Sequence, residues 1–239
     1  MSNRGTALID GRYAEFQAAV LQQLPREIHP DILKHWIEDR ESLKRVLDLA
    51  LVPVRMKEET LRGFNWLLVY QALGMAFEPG ELEVLEDPNH WDVYVMKGVT
   101  PNMVVAALRK LGVNVYTYVD DLDKSVPTND RDPKKGSYRV RFKTNIEADS
   151  ELANKSASDL KEEKIQGITL LERLLLELAY FLATGKHLDI ENVTLCSGSR
   201  YSGGSVPSVG WDADGRRLYV YWCGPQGRCS FLRARAAVS

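Results

Sequence analysis

Apolar residues first recur at helical spacing. Phe16, Val20, Leu21 and Leu24 share one face of a run beginning near Ala7, and Pro25 stops it. After His29, Pro30 suits a first helical position. Ile32, Leu33, Trp36, Ile37, Leu43, Val46, Leu47 and Leu49 then form an apolar face as far as Pro53. A third run, Glu58 to Leu73, carries Leu61, Phe64, Trp66, Leu67 and Leu68, with Gly74 placed to cap its C-terminus. The period then shortens. WDVYVM at 91–96 and VNVYTYV at 113–119 alternate as strands do, and TPNMVVAALRKLG at 100–112 predicts a short helix between them. Thr100 is its N-cap, Pro101 opens its first turn and Gly112 follows its end.

Residues 120–137 (DDLDKSVPTNDRDPKKGS) are polar and rich in Asp, Pro and Lys, which predicts a linker and a domain boundary. Beyond it, YRVRFKTNI at 138–146 alternates as a strand. ITLLERLLLELAYFL at 168–182 is apolar on nearly all sides, so the helix it predicts is buried. Thr169 is its cap, with Glu172 three residues on. Short strands broken by glycine follow: VTLCSGS, SVPSVGW, RRLYVYW and FLRARAAV. In the last, Leu232, Ala234 and Ala236 alternate with Arg233 and Arg235, the pattern of a strand with one buried face. Residues 232–238 are expected to pair with the strand that starts near Tyr138. The chain reads as α+β, with a mostly helical region at 1–128 and a mixed domain at 129–239.

Composition changes the picture at the C-terminus. Thirteen Lys, seventeen Glu and five Met all precede residue 192, and the last 48 residues hold none of them. Ser, Gly, Tyr, Trp, Arg and Cys fill this tail. That is close to an antibody paratope, where Tyr and Trp give contact area at low entropy cost and Ser and Gly adapt to the partner. Its charges are Arg200, Arg216, Arg217, Arg228, Arg233 and Arg235 against Asp212 and Asp214. Arginines among aromatics suit ion pairs and interface anchors. A nucleic-acid surface would gather Lys and raise the pI, whereas this chain has a net charge of −2. No apolar leader segment opens the sequence and no apolar run spans a bilayer. The expectation is therefore cytoplasmic synthesis, no signal peptide and no membrane span.

Little in the sequence points to catalysis. His29, His35, His90 and His187 are scattered over different elements, and Ser197 and Ser208 have no neighbouring His and Asp arrangement. Gly203–Gly204 is a turn without the strand and helix a phosphate loop needs. Asp120, Asp121 and Asp123 form an acidic run that reads as solvated, with a weak cation site as the alternative. Three cysteines without a leader argue against a disulfide framework. Cys196 reads as an inert buried thiol, and the Cys223–Cys229 spacing fits no common zinc pattern. No catalytic residue, metal or cofactor is expected.

The series GITLLERLLLEL…TGKHLD…NVTLCSGSR…VPSVGW…LYVYW…LRARAAVS resembles the variable proteins of diversity-generating retroelements, over roughly residues 138–239. The resemblance implies a C-type-lectin-like fold for the C-terminal domain and a ligand-binding protein rather than an enzyme. In that family an error-prone reverse transcriptase copies a template repeat, misreads adenines, and the copy replaces the 3′ end of the target gene. Template AAY codons then yield many residues, but never Lys, Glu, Gln, Met or Trp. After Cys196 only Trp211, Trp222 and Gln226 fall outside the reachable set, and these are read as fixed.

The resemblance implies a variable region at about 196–232 with ligand-binding positions Tyr201, Ser205, Gly210, Asp212, Tyr219, Tyr221, Cys223, Cys229 and Phe231. These nine are expected on one solvent-facing patch, with Trp211, Leu218, Val220, Trp222 and Leu232 buried beneath it. Pro207, Pro225, Arg233 and Arg235 complete the unvaried scaffold. The partner implied is an unknown ligand, a protein or a cell-surface molecule. Two alternatives share the fold. One is an enzyme of the sulfatase-modifying type, with Cys223 and Cys229 as its cysteine pair. The other is a carbohydrate-binding lectin, for which Asp212 and Asp214 supply few calcium ligands. Tyr219 and Tyr221 also suit ordinary half-buried strand positions.

Overall fold

A computed structural model describes residues 27–40, 61–77 and 87–238, together with 15, 18–22 and 43. Contacts divide the chain into two units, Met1–Val52 and Pro53–Ser239. In the first, helix α1 (Pro30–Glu38) starts as its sequence dictates, with Pro30 in the first turn and the His29 ring accepting from the Asp31 N–H. Most of the run expected from Ala7 to Leu24, and the extension of α1 toward Pro53, lie outside the described residues.

The second unit contains α2 (Trp66–Ala72), β1 (His90–Val95), α3 (Pro101–Lys110), β2 (Val115–Thr117), α4 (Leu122–Ser125), β3 (Thr128–Asn129) and β4 (Tyr138–Lys143). A 3-10 turn at Ser150–Leu152 leads to α5 (Ala157–Glu162) and α6 (Leu170–Thr184). The chain ends in β5 (Val193–Leu195), β6 (Ser199–Arg200), β7 (Val206–Asp212), β8 (Arg217–Cys223) and β9 (Leu232–Ala234). The main sheet has the order β2-β8-β7-β5-β9, parallel at its two outer pairs and antiparallel between. β1 pairs with β4, and β3 with β6, both antiparallel.

Local signals set most boundaries. α2 begins at Trp66, capped by Asn65, so residues 61–65 of the third apolar run are not helical. It ends where Gly74 takes a left-handed φ of 68° and the Met75 N–H reaches back to the Tyr70 carbonyl. α3 has Thr100 as its cap, its Oγ1 accepting from the Met103 N–H. α6 opens on a full capping box, Thr169 with Glu172, and closes on left-handed Gly185.

α6 is buried along almost its whole length. Trp66 and Tyr70 of α2, Trp91 and Val93 of β1, Val104 and Leu108 of α3, and Leu218 and Val220 of β8 share one core with it. The boundary expected at 128/129 therefore falls inside a compact unit. The reason is pairing across it: β1 takes β4 as partner and β2 takes β8. The supposed linker is itself structured, holding α4 and β3.

Burial of α6 carries charge inside. Glu172 receives two hydrogen bonds from Arg131, at 2.6 and 2.7 Å, and one from the Tyr138 hydroxyl at 3.0 Å. Arg173 donates to Glu177 and to Asp189, each at 2.8 Å, with all three side chains fully buried. Arg235 donates to the other Asp189 oxygen at 2.7 Å and to the Asn145 and Ile146 carbonyls. The last segment thus departs from its expected alternation. Leu232–Ala234 pairs with β5, and only Val238 reaches β4, through a bridge to Arg141. Arg235 turns inward to pair with the buried Asp189 carboxylate.

Candidate aromatic binding face

The register of the main sheet separates two faces. On β8, Leu218 and Val220 enter the α6 core, while Tyr219 and Tyr221 point the other way. Part of this second face is covered by a smaller core in which Leu152, Ala157 and Leu160 meet Val193, Leu195, Val206 and Leu232. The rest is bare at the β2 edge. There the register aligns Tyr116 with Tyr219 and Tyr219 with Gly210.

A depression of about 750 Å³ lies over this bare region, lined by Tyr116, Ile190, Trp211, Tyr219, Tyr221 and the β7–β8 hairpin from Asp212 to Arg217. Trp211 is held from behind. It stacks on His187 with ring centroids 3.4 Å apart, and His187 stacks on Phe181 and meets Glu177 Oε1 at 2.8 Å. Arg217 lies over the Tyr116 ring at 5.6 Å. A second hollow, of about 280 Å³, is lined by Tyr118, Tyr201, Ser205 and Trp222. An aromatic ridge separates the two: Tyr118 packs edge-on against Tyr221 at 5.1 Å and against Trp222 at 6.0 Å. Tyr116, Tyr118, Tyr221 and Trp222 are each 40–49% exposed.

The nine positions taken from the sequence do not behave alike. Asp212, Tyr219 and Tyr221 line the larger hollow, and Tyr201 and Ser205 line the smaller. Tyr201 is a buried support, its hydroxyl donating to the Tyr221 carbonyl, and burial pushes its phenol up to about 12. Gly210 is also buried. A Cβ there would sit 2.8 Å from Tyr219 Oη, so Gly210 forms the floor on which that ring lies. Asp212 closes the hairpin, accepting from the Gly215 N–H at 2.8 Å and from Arg217 Nε at 3.1 Å. These bonds hold its carboxyl below the usual range.

Cys223 and Cys229 are half-buried against the smaller core. Phe231 is exposed but precedes β9, at the opposite edge of the sheet from β2. One patch for all nine is therefore not what forms. Of the five expected supports, Leu218, Val220 and Leu232 are buried and Trp211 is half-buried. Trp222 is 40% exposed: it shares the Leu218 and Val220 side of β8 but sits at the rim, beside Tyr118 and Tyr221. It lies past the last core residue of β8, against Tyr118, and lines the smaller hollow with Tyr201 and Ser205.

Tyr116, Tyr118 and Ile190 complete the face and were missed. The alternation Tyr116–Thr117–Tyr118 was a visible signal, but a parallel partner a hundred residues downstream is not written locally. Among the described residues, no group of three or more His, Cys, Asp or Glu gathers as metal ligands would, and no helix is long and apolar enough to cross a membrane. Comparison with protein-family models, with curated proteins and with solved structures returned no match.

Proposed function

We propose that this chain is a ligand-binding protein whose aromatic face takes a protein or cell-surface partner. On this reading, mutagenic retrohoming diversifies the face on a C-type-lectin-like scaffold. The observation that carries it is the cluster of four rings, Tyr116, Tyr118, Tyr221 and Trp222, left exposed beside a broad hollow. A monomer surface seldom gathers so much exposed aromatic area without a partner. Rigid tyrosines on a strand supply contact at low entropy cost, as in a paratope. The absence of Lys, Glu and Met from the last 48 residues supports the diversification step.

The enzyme alternative gains no support from its thiols. Burial raises the Cys223 thiol, the opposite of the activation a nucleophilic cysteine needs. The test of the proposal is the DNA beside the gene. It should hold a reverse transcriptase gene and a near-copy of the 3′ end with AAY codons at the varied positions. A flank with neither, or differences spread evenly over all four bases, would sink the diversification step. Binding is tested separately: Tyr221→Ala and Trp222→Ala should abolish capture of the partner while leaving the fold intact.

A further inference from the structure

A third concavity, of about 470 Å³, shares no residue with the aromatic face. It lies between α5 and the β3–β6 pair. Its apolar wall is Ala157, Leu160 and Ile165, and its charged rim is Lys161, Lys164, Arg200 and Asp130. None of the three cations forms an ion pair among the described residues. Three cations against one carboxylate leave a net charge of two on the rim.

Arg200 is fixed in place. Its Nη1 donates to the Ser197 and Ser199 carbonyls at 2.6 and 2.7 Å, which sets the guanidinium plane and leaves its remaining N–H groups for another acceptor. Ser197 also lines the cleft. It is only 9% exposed, and its hydroxyl, which has no protein partner, is buried against Gly167 and closed off from the cleft. Lys164 is held less comfortably. It ends α5 at a φ of 59°, where the Ile165 N–H bonds the Leu160 carbonyl and the Lys164 N–H bonds the Lys161 carbonyl. That is a Schellman ending, and glycine is its usual occupant. A lysine kept there against backbone preference points to a use for its charge.

We propose that this cleft binds a small organic phosphate monoester. The doubly charged head matches the rim, where Arg200 offers paired donors and the two lysines offer point charges. The apolar wall takes the organic body, and the volume is that of a small-molecule site. A monoanion would leave one cation unmatched, and inorganic phosphate would forgo the wall.

Phenyl phosphate titrated into the full chain and followed by backbone amide NMR is the test. Saturable binding is expected below about 1 mM, with shifts concentrated at 161–166 and 197–200. Inorganic phosphate and benzenesulfonate, which lack the body and one charge respectively, should bind more weakly. Lys164→Gly is the informative variant. It should raise the melting temperature, because glycine relieves the left-handed backbone, yet weaken phenyl phosphate by about tenfold. Lys161→Gln should weaken binding without moving the melting temperature. Unchanged affinity in Lys164→Gly, shifts centred on the 212–217 hairpin, or no saturation by about 10 mM would each overturn the proposal. A phosphopeptide that binds more tightly than phenyl phosphate would overturn the small-molecule assignment.

Discussion

Tyr219 and Gly210 occupy one site between them. A methyl group at 210 would meet the tyrosine hydroxyl at 2.8 Å and its Cζ at 3.1 Å. Both positions are candidates for diversification, so their occupants are coupled: a side chain at 210 requires a small or displaced one at 219. Gly210→Ala alone should destabilise the protein by about 1–2 kcal/mol through overpacking, and by clearly less in a Tyr219→Ser background. Urea denaturation of the four variants gives the coupling directly, and additive effects would show that the two positions vary independently. The tryptophans divide in a similar way. Trp211 is clamped on His187 and Trp222 is open to solvent. Trp211→Ala should therefore cost about 2–3 kcal/mol, against about 1 kcal/mol or less for Trp222→Ala.

α6 is fastened to the strands by charge as well as by packing. Asp189 sits between Arg173 and Arg235 with no exposure. Burial works against its charge, but Arg235 and Arg173 outweigh burial and hold its carboxyl below the usual range. An acid whose pKa falls on folding stabilises the protein above its unfolded value, near 3.9, and loses that contribution as pH drops through the lower folded value. Stability should therefore fall on acidification below about pH 4. Asp189→Asn, which strands buried Arg235 and leaves Arg173 with Glu177 alone, should cost about 3–5 kcal/mol at neutral pH. Thermal melts between pH 3 and pH 7, as flagged by that window, check both points. The sequence pattern located α3 and β8 by their one-sided apolar faces, and α6 and β1 by runs that are buried nearly throughout. Arg173 and Glu177 are neighbours at i,i+4 on α6, but Asp189 and Arg235 join them only through tertiary folding, so the network as a whole was not legible.

The aromatic face and residues 53–128 belong to one compact unit. Tyr219 and Tyr221 come from the tail, yet Tyr116 and Tyr118 come from or beside β2, which the sequence placed in a separate region. A polar, Pro-containing stretch resembles a linker whether or not its flanks pair, so composition alone could not decide this. Pairing decides it. Removing everything before residue 129 would strip β4 of β1 and one edge of β8 of β2, and uncover Phe142, Tyr180, Leu218 and Val220. Each such side chain is worth about 1.5–3 kcal/mol of burial, and a domain's whole margin is about 5–15 kcal/mol. The fragment 129–239 should therefore be unfolded, with poorly dispersed amide NMR signals, whereas 53–239 should fold and melt cooperatively. A folded 129–239 fragment would restore the two-domain reading and reduce Tyr116 and Tyr118 to neighbours of the face. If only 53–239 folds, binding of the partner must be tested with β2 in place, and Tyr116→Ala should weaken it although residue 116 lies 85 positions before Tyr201, the first of the tail's candidate binding residues.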